Sequence, residues 1–174
     1  MKKIILFRHG KSSWDSGVSD FERDLAQIGV RRTHKSAKEL SRIIDFKIDA
    51  WYSSPARRAE RTASIVASYF PEEPKINLDQ KLYTFSYFDL LKFVKTLDNT
   101  YQSAIFFGHN EAYTEFANRM GDLFLNNLPT SGVVIIELDS DQWENIEKGK
   151  TIKVIKPKEL VRINATQAQA ATAI

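Results

Sequence analysis

The chain has 174 residues, 43% of them hydrophobic and 27% charged, with 25 Lys and Arg against 22 Asp and Glu for a net charge of +3, and it contains no cysteine. That length and apolar content suit one domain with a sizeable core and exclude the apolar-poor composition of a disordered chain. The missing cysteines exclude disulfides and thiolate metal sites and point to a reducing cytoplasm, while thinly spread positive charge argues against nucleic acid as a partner.

From the first residue, two lysines lead into Ile4–Phe7, an apolar run of the kind buried on both faces of a parallel sheet. It stops at Arg8, too short for a signal-peptide core or a membrane span. Gln27–Ile44 reads as an amphipathic helix: Arg31, Lys35, Lys38 and Arg42 form a solvated basic face opposite Thr33, Ala37, Leu40 and Ile44, and His34 is expected to be exposed. A second strand follows over Ile48–Ser53. Ser54 then reads as an N-cap and Pro55 as the first helical position, with Ala59, Thr62, Ala63, Val66 and Phe70 facing inward until Pro71 and Pro74 stop the helix.

Asp89–Leu97 is expected to be helical, Ser103–Phe107 is another apolar strand, and Glu111–Leu123 is a helix with Tyr113, Phe116, Ala117 and Met120 inward. Gly132–Leu138 and Thr151–Ile155 complete the strands. The alternation predicts an α/β three-layer sandwich, with helices on both faces of a largely parallel sheet. A single domain is expected over residues 1–160 and a flexible tail over 161–174, because Asn164–Ile174 is a run of Ala, Gln and Thr too poor in large apolar groups to pack. With no extracellular context, the Asn164-Ala165-Thr166 glycosylation triplet carries no meaning.

Three motifs fall where strands end: Arg8-His9-Gly10, Ser54-Pro55-x-x-Arg58-Ala59 and Gly108-His109-Asn110. Ligands in open α/β sheets bind beyond the carboxyl ends of strands, so two arginines and two histidines are expected to meet in one crevice. Arginine offers a permanently charged fork that matches phosphoryl oxygens, and Arg58 gains from its place in the first turn of a helix. A neutral imidazole can attack phosphorus and split one displacement into two, which assigns His9 as nucleophile and His109 as a stabiliser of phosphoryl oxygens. Gly10 and Gly108 are expected to let the backbone approach the anion. Two arginines supply the charge a metal would otherwise bring, and three scattered histidines have no ligand spacing, so neither metal nor cofactor is expected.

On these three ordered motifs the chain resembles the histidine phosphatase superfamily, with the phosphoglycerate mutase-like fold, over roughly residues 1–155. The resemblance implies a covalent phosphohistidine on His9, with Arg8, Arg58 and His109 holding phosphate. The family's first motif often continues to a phosphate-touching Asn; Asp15 stands there, and a carboxylate would repel phosphate. The family's usual acidic proton donor falls in a segment that here reads Leu82-Tyr83-Thr84-Phe85, without a carboxylate. Breaking a P–O bond to an alkoxide needs a proton donor, whereas imidazole leaves a P–N bond readily, so the departure favours P–N substrates.

With the small size and Lys11-Ser12-Ser13-Trp14, this resembles the SixA-type phosphohistidine phosphatases, in which Arg23 of Arg23-Asp24-Leu25 takes a pocket position. Asp89 and Glu111 are the substitute acids available, each with a rival reading as a helix N-terminal charge. The aromatic residues Tyr83, Phe85, Tyr87 and Phe88 either wall the pocket or fill the core. The expected partner is a phosphorylated protein or a small phosphorylated substrate, with no membrane association and the oligomeric state left open. Two rivals stand beside a phosphohistidine phosphatase: a phosphatase of small phosphate monoesters, and a module that binds a phosphorylated partner without turnover.

Overall fold

Four continuous apolar residues, Ile4 to Phe7, are fully buried in β1 (Lys2–Arg8), the strand on which the sheet is built. The computed structural model describes residues 1–14 and 17–160, so Asp15 and the tail expected over 161–174 lie outside the described residues. Along the chain, α1 (Gln27–Ile43), β2 (Ala50–Ser53), α2 (Arg57–Ala67), β3 (Ile76–Leu78), α3 (Tyr87–Val94), β4 (Ser103–Gly108), α4 (Ala112–Met120), β5 (Val133–Leu138) and β6 (Lys150–Ile155) follow, with single 3-10 turns at Asp20–Glu22, Gln80–Leu82 and Trp143–Asn145.

The sheet order is β3-β2-β4-β1-β5-β6. The pairs β3·β2, β2·β4 and β4·β1 are parallel, and β5 runs antiparallel to both of its neighbours. Side chains alternate across the sheet with the period of two that pleating imposes. Ile5, Phe7, Ile105, Phe107, Val133 and Ile135 meet Ala37 and Leu40 of α1 and Ala63 and Val66 of α2. Ile4, Leu6, Phe106, Val134 and Ile136 meet Leu90 and Val94 of α3 and Phe116 and Met120 of α4 on the other face. Helices therefore cover both faces, as the alternating pattern predicts.

Most differences from the sequence reading fall at element ends. Helix α2 starts at Arg57 rather than Pro55 and its N-cap is Ala56, which offers no side-chain acceptor. Ser54 has another use, described below. Ser86 caps α3 by accepting from the Asp89 amide, so that helix begins at Tyr87. Gly121 ends α4 after Met120, leaving Leu123 half exposed. Strand β3 was not expected: three residues, none fully buried, at the sheet edge are too short to show a period. Register brings the expected strand ends level: Arg8 pairs with Gly108 across β1 and β4, and Ser53 with Phe107 across β2 and β4. His9, Ser54 and His109 consequently leave the same edge of the sheet side by side.

Candidate active site

The backbone at His9 is held from both flanking strands. Its amide donates to the Gly108 carbonyl at 3.0 Å, and the Ser131 amide donates to the carbonyls of Arg8 and His9 at 3.2 and 3.1 Å. Ser131 takes a left-handed φ of 60° and is fully buried. Such a conformation costs about 1–3 kcal/mol for a non-glycine residue and persists where surroundings over-determine it. Here Thr33 Oγ1 lies 2.9 Å from the Ser131 hydroxyl, and Ser36 donates to its carbonyl at 2.6 Å.

The His9 ring is oriented by its own neighbour, with Nδ1 2.7 Å from the Gly10 carbonyl oxygen. A carbonyl only accepts, so Nδ1 carries the proton and Nε2 presents a lone pair. That lone pair faces Arg58 Nε at 3.4 Å. His109 repeats the logic: Nδ1 lies 3.4 Å from Arg58 Nη2, a pure donor, and Nε2 lies 2.8 Å from Ser54 Oγ, to which it donates. Ser54 also accepts from the Ala56 amide at 3.2 Å. Its hydroxyl thus orients a histidine 55 residues away instead of capping α2.

Arg58, only 2% exposed, is the hub of the cleft. Besides the two imidazoles it donates to the Asp20 carbonyl at 2.6 Å and the Asp20 carboxylate at 3.1 Å. Arg23 reaches the same carboxylate at 3.0 Å and Ser12 Oγ at 2.8 Å, and its guanidinium lies 4.5 Å from the exposed ring of Trp14. Tyr83 donates a short hydrogen bond to Asp20 as well. Arg8 is anchored on the Leu128 carbonyl at 2.7 Å. Arg8, His9, Arg23, Arg58 and His109 all line one cleft of about 320 Å³, joined by Phe85 and Asp20.

Gly10 and Gly108 are both closely packed. The Gly10 amide donates to Thr62 Oγ1 at 3.0 Å and its carbonyl is taken by His9, so both polar groups are engaged. A Cβ on Gly10 would lie 2.7 Å from Thr33 Oγ1, and one on Gly108 would lie 2.6 Å from the Tyr113 hydroxyl. Close packing against α1 and α4 excludes a side chain at both positions.

The aromatic group divides. Tyr83 and Phe85 pack on His109, with ring centroids 5.4 and 5.2 Å away, whereas Tyr87 is buried in the core and Phe88 is exposed beside it. Asp89 accepts from Thr84 Oγ1 at 2.8 Å in the first turn of α3, and neither it nor Glu111 lines the cleft. His34 is exposed and bonded to the Tyr69 hydroxyl, and Arg57 and Arg61 form surface ion pairs with Asp24. Sequence reasoning missed Asp20, Ser131 and the hydroxyls of Thr33, Ser36 and Thr62. Asp20 had one local signal, standing three residues before Arg23, with which it forms an ion pair.

Burial, then the charges of Arg58, Arg8 and Arg23, pushes the His9 pKa down to about 3, although the Gly10 carbonyl pulls the other way. Burial, with His9 and Arg58, pushes His109 down to about 2. Both rings are therefore neutral in the folded protein. Asp20 is held at about 2 by the Tyr83 hydrogen bond first and then by Arg23 and Arg58, so it is a carboxylate.

These shifts fix the sign of an acid effect. Free histidine titrates near ~6.5, so between that pH and about 4 the unfolded chain binds protons that native His9 and His109 refuse. Stability is full above pH 6.5 and falls as pH is lowered through that window, before Asp20 begins to titrate. Calorimetry from pH 7 to pH 4 is expected to show a falling melting temperature with a shallower slope in His9→Asn; equal slopes would contradict burial of a neutral His9.

The model of the histidine phosphatase superfamily (branch 1) matches residues 4–125. The 2,3-bisphosphoglycerate-dependent phosphoglycerate mutase of Thermoplasma acidophilum is 26% identical over 174 residues, covering 97% of this chain and 72% of that protein. Phosphoglycerate mutase 2 of Bacteroides thetaiotaomicron is 34% identical over 93 residues, 48% of this chain, and the match spans only 36% of that relative's length. Among solved structures, SixA from Agrobacterium tumefaciens superposes with a TM-score of 0.75 at 23% identity, covering 90% of this chain and 98% of that one. The protein histidine phosphatase SixA complexed with tungstate gives 0.76 at 20% identity, covering 91% and 99%. At those identities the likeness shows the fold. Among the described residues no helix is long and apolar enough to cross a membrane, and no three His, Asp or Glu side chains gather as a metal site.

Proposed function

Because the chain belongs to the histidine phosphatase superfamily (branch 1), we propose that it hydrolyses phosphohistidine on a protein, through a phosphoryl group carried briefly on His9. His9 Nε2 attacks phosphorus as the bond to the substrate nitrogen breaks. The electron pair leaves with that nitrogen, which takes its proton from solvent. Water then attacks the phosphohistidine, the P–Nε2 bond breaks, and its electrons return to Nε2 with release of inorganic phosphate. Arg8, Arg23 and Arg58 hold the phosphoryl oxygens, and His109, neutral and oriented by Ser54, lines the same cleft beside them. The arriving phosphoryl group competes for Arg58 with the half-exposed Asp20 carboxylate, which Arg23 and Tyr83 also hold.

The observation that carries the substrate choice is the protonation inventory of the cleft. Among the described residues Asp20 is its one carboxylate, and it is ionised at neutral pH, an acceptor rather than a proton donor. Segment 83–85 supplies aromatic rings where an acid would serve. The rival reading, a phosphatase of small esters, draws support from the mutase names of the sequence relatives.

General acid catalysis is worth roughly 10²–10⁴ in rate. We expect kcat/KM on a phosphohistidine peptide to exceed that on an alkyl phosphate by at least about 10²-fold. Faster turnover of the alkyl phosphate would overturn the substrate class and leave the nucleophile standing.

A further inference from the structure

Arg8, Lys11 and Thr130 border the phosphoryl cleft and also a second, wider hollow of about 610 Å³. Cations reach it from separate parts of the chain: Arg8 at the end of β1, Lys11 in the turn beyond, Arg32 on α1, and Lys156 and Lys158 after β6. One carboxylate, Glu159, lies among them. Among the described residues none of Lys11, Arg32, Lys156 and Lys158 takes part in an ion pair. Arg8 Nε is buried without a hydrogen-bond partner. Gathering five cations around one carboxylate costs folding energy, and an anionic ligand is what would return it.

We propose that this basic groove is a second substrate subsite, which holds acidic side chains flanking the phosphohistidine of the partner protein. The inference rests on the proposed function. The groove differs from the phosphoryl cleft in the way a carboxylate reader should. The cleft presents a buried arginine fork, suited to one tetrahedral oxyanion. The groove is larger and presents three lysines, all exposed, whose hydrated point charges on flexible stems suit several dispersed carboxylates. Because Arg8 borders both, an extended segment advancing about 3.4 Å per residue carries its neighbours onto the lysines once its phosphohistidine enters the cleft.

The test uses two phosphohistidine peptides identical except for Glu or Gln at the flanking positions, with the native chain and Lys156→Glu/Lys158→Glu. An exposed ion pair contributes modestly, and reversing two charges replaces two attractions with two repulsions, so about a tenfold effect is expected. The native chain should favour the acidic peptide by about tenfold in kcat/KM, through KM, and lose that preference in 0.5 M salt. In the charge-reversed variant the ratio should fall to about one or below; Lys156→Gln/Lys158→Gln, the milder change, should move it in the same direction if the reversal perturbs folding. Equal use of both peptides by the native chain, or an unchanged ratio in the variants, would overturn the subsite. So would an oligonucleotide of equal charge that competes better than the acidic peptide. If neither peptide is hydrolysed, the proposed function fails. The subsite is then judged by fluorescence anisotropy of the same peptides, where equal binding by native and variant chains sinks it.

Discussion

Replacing His9 with asparagine is expected to lower kcat by roughly 10⁴-fold, about 5.5 kcal/mol of barrier, and to eliminate an acid-labile phosphoenzyme trapped by rapid quench. The size follows from losing the proposed nucleophile: residual turnover would rely on water attacking phosphorus in a cleft that still supplies charge. Asparagine is the informative choice because its amide can still donate to the Gly10 carbonyl, the partner His9 Nδ1 holds at 2.7 Å. Alanine would add a cavity at a site only 8% exposed and mix loss of stability with loss of chemistry. An undiminished phosphoenzyme in His9→Asn would remove this histidine from the mechanism. A binding module that never turns over would show no phosphoenzyme even in the native chain.

For Arg58, substitution by lysine is expected to cost about 10²–10³-fold in kcat and alanine somewhat more. Arg58 donates through Nε, Nη1 and Nη2 to both imidazoles and to Asp20. A lysine ammonium keeps the charge without that planar spread of donors, so it can neither bridge the two rings nor grip two phosphoryl oxygens in a fork. The charge of Arg58 also lowers the pKa of His9 and of His109. Removing it in Arg58→Ala should move both imidazoles toward ordinary histidine values, visible in NMR titration of their ring nitrogens. A loss of activity without that movement would leave the grip on phosphate as Arg58's contribution and remove its influence on the two imidazoles, and activity within tenfold of native would remove it from the phosphoryl field.

The legible part of the site is the part in which chemistry and chain order coincide. Arg8, His9, Arg58 and His109 stand at strand ends or in a first helical turn, where local sequence announces both the element and the reactive group. Asp20 was not legible because it sits in a 3-10 turn with no periodic signal, and its partners Arg58 and Tyr83 are 38 and 63 residues away. Ser54 misled for the opposite reason. A serine before a proline is a sound local cap signal, but its hydroxyl found His109, a partner no local rule can supply.

By itself the sequence determined the α/β sandwich, because continuous apolar strands alternating with amphipathic helices place helix over both faces of the sheet, and it named the four groups that converge. Tertiary structure decided the rest. The sheet order, with β4 between β1 and β2, makes His9, Ser54 and His109 neighbours. Hydroxyls from α1, α2 and Ser131 fix the loop that carries His9. Tautomer, proton affinity and charge balance in the cleft depend on distances between groups far apart in the chain, and only a folded backbone sets those distances.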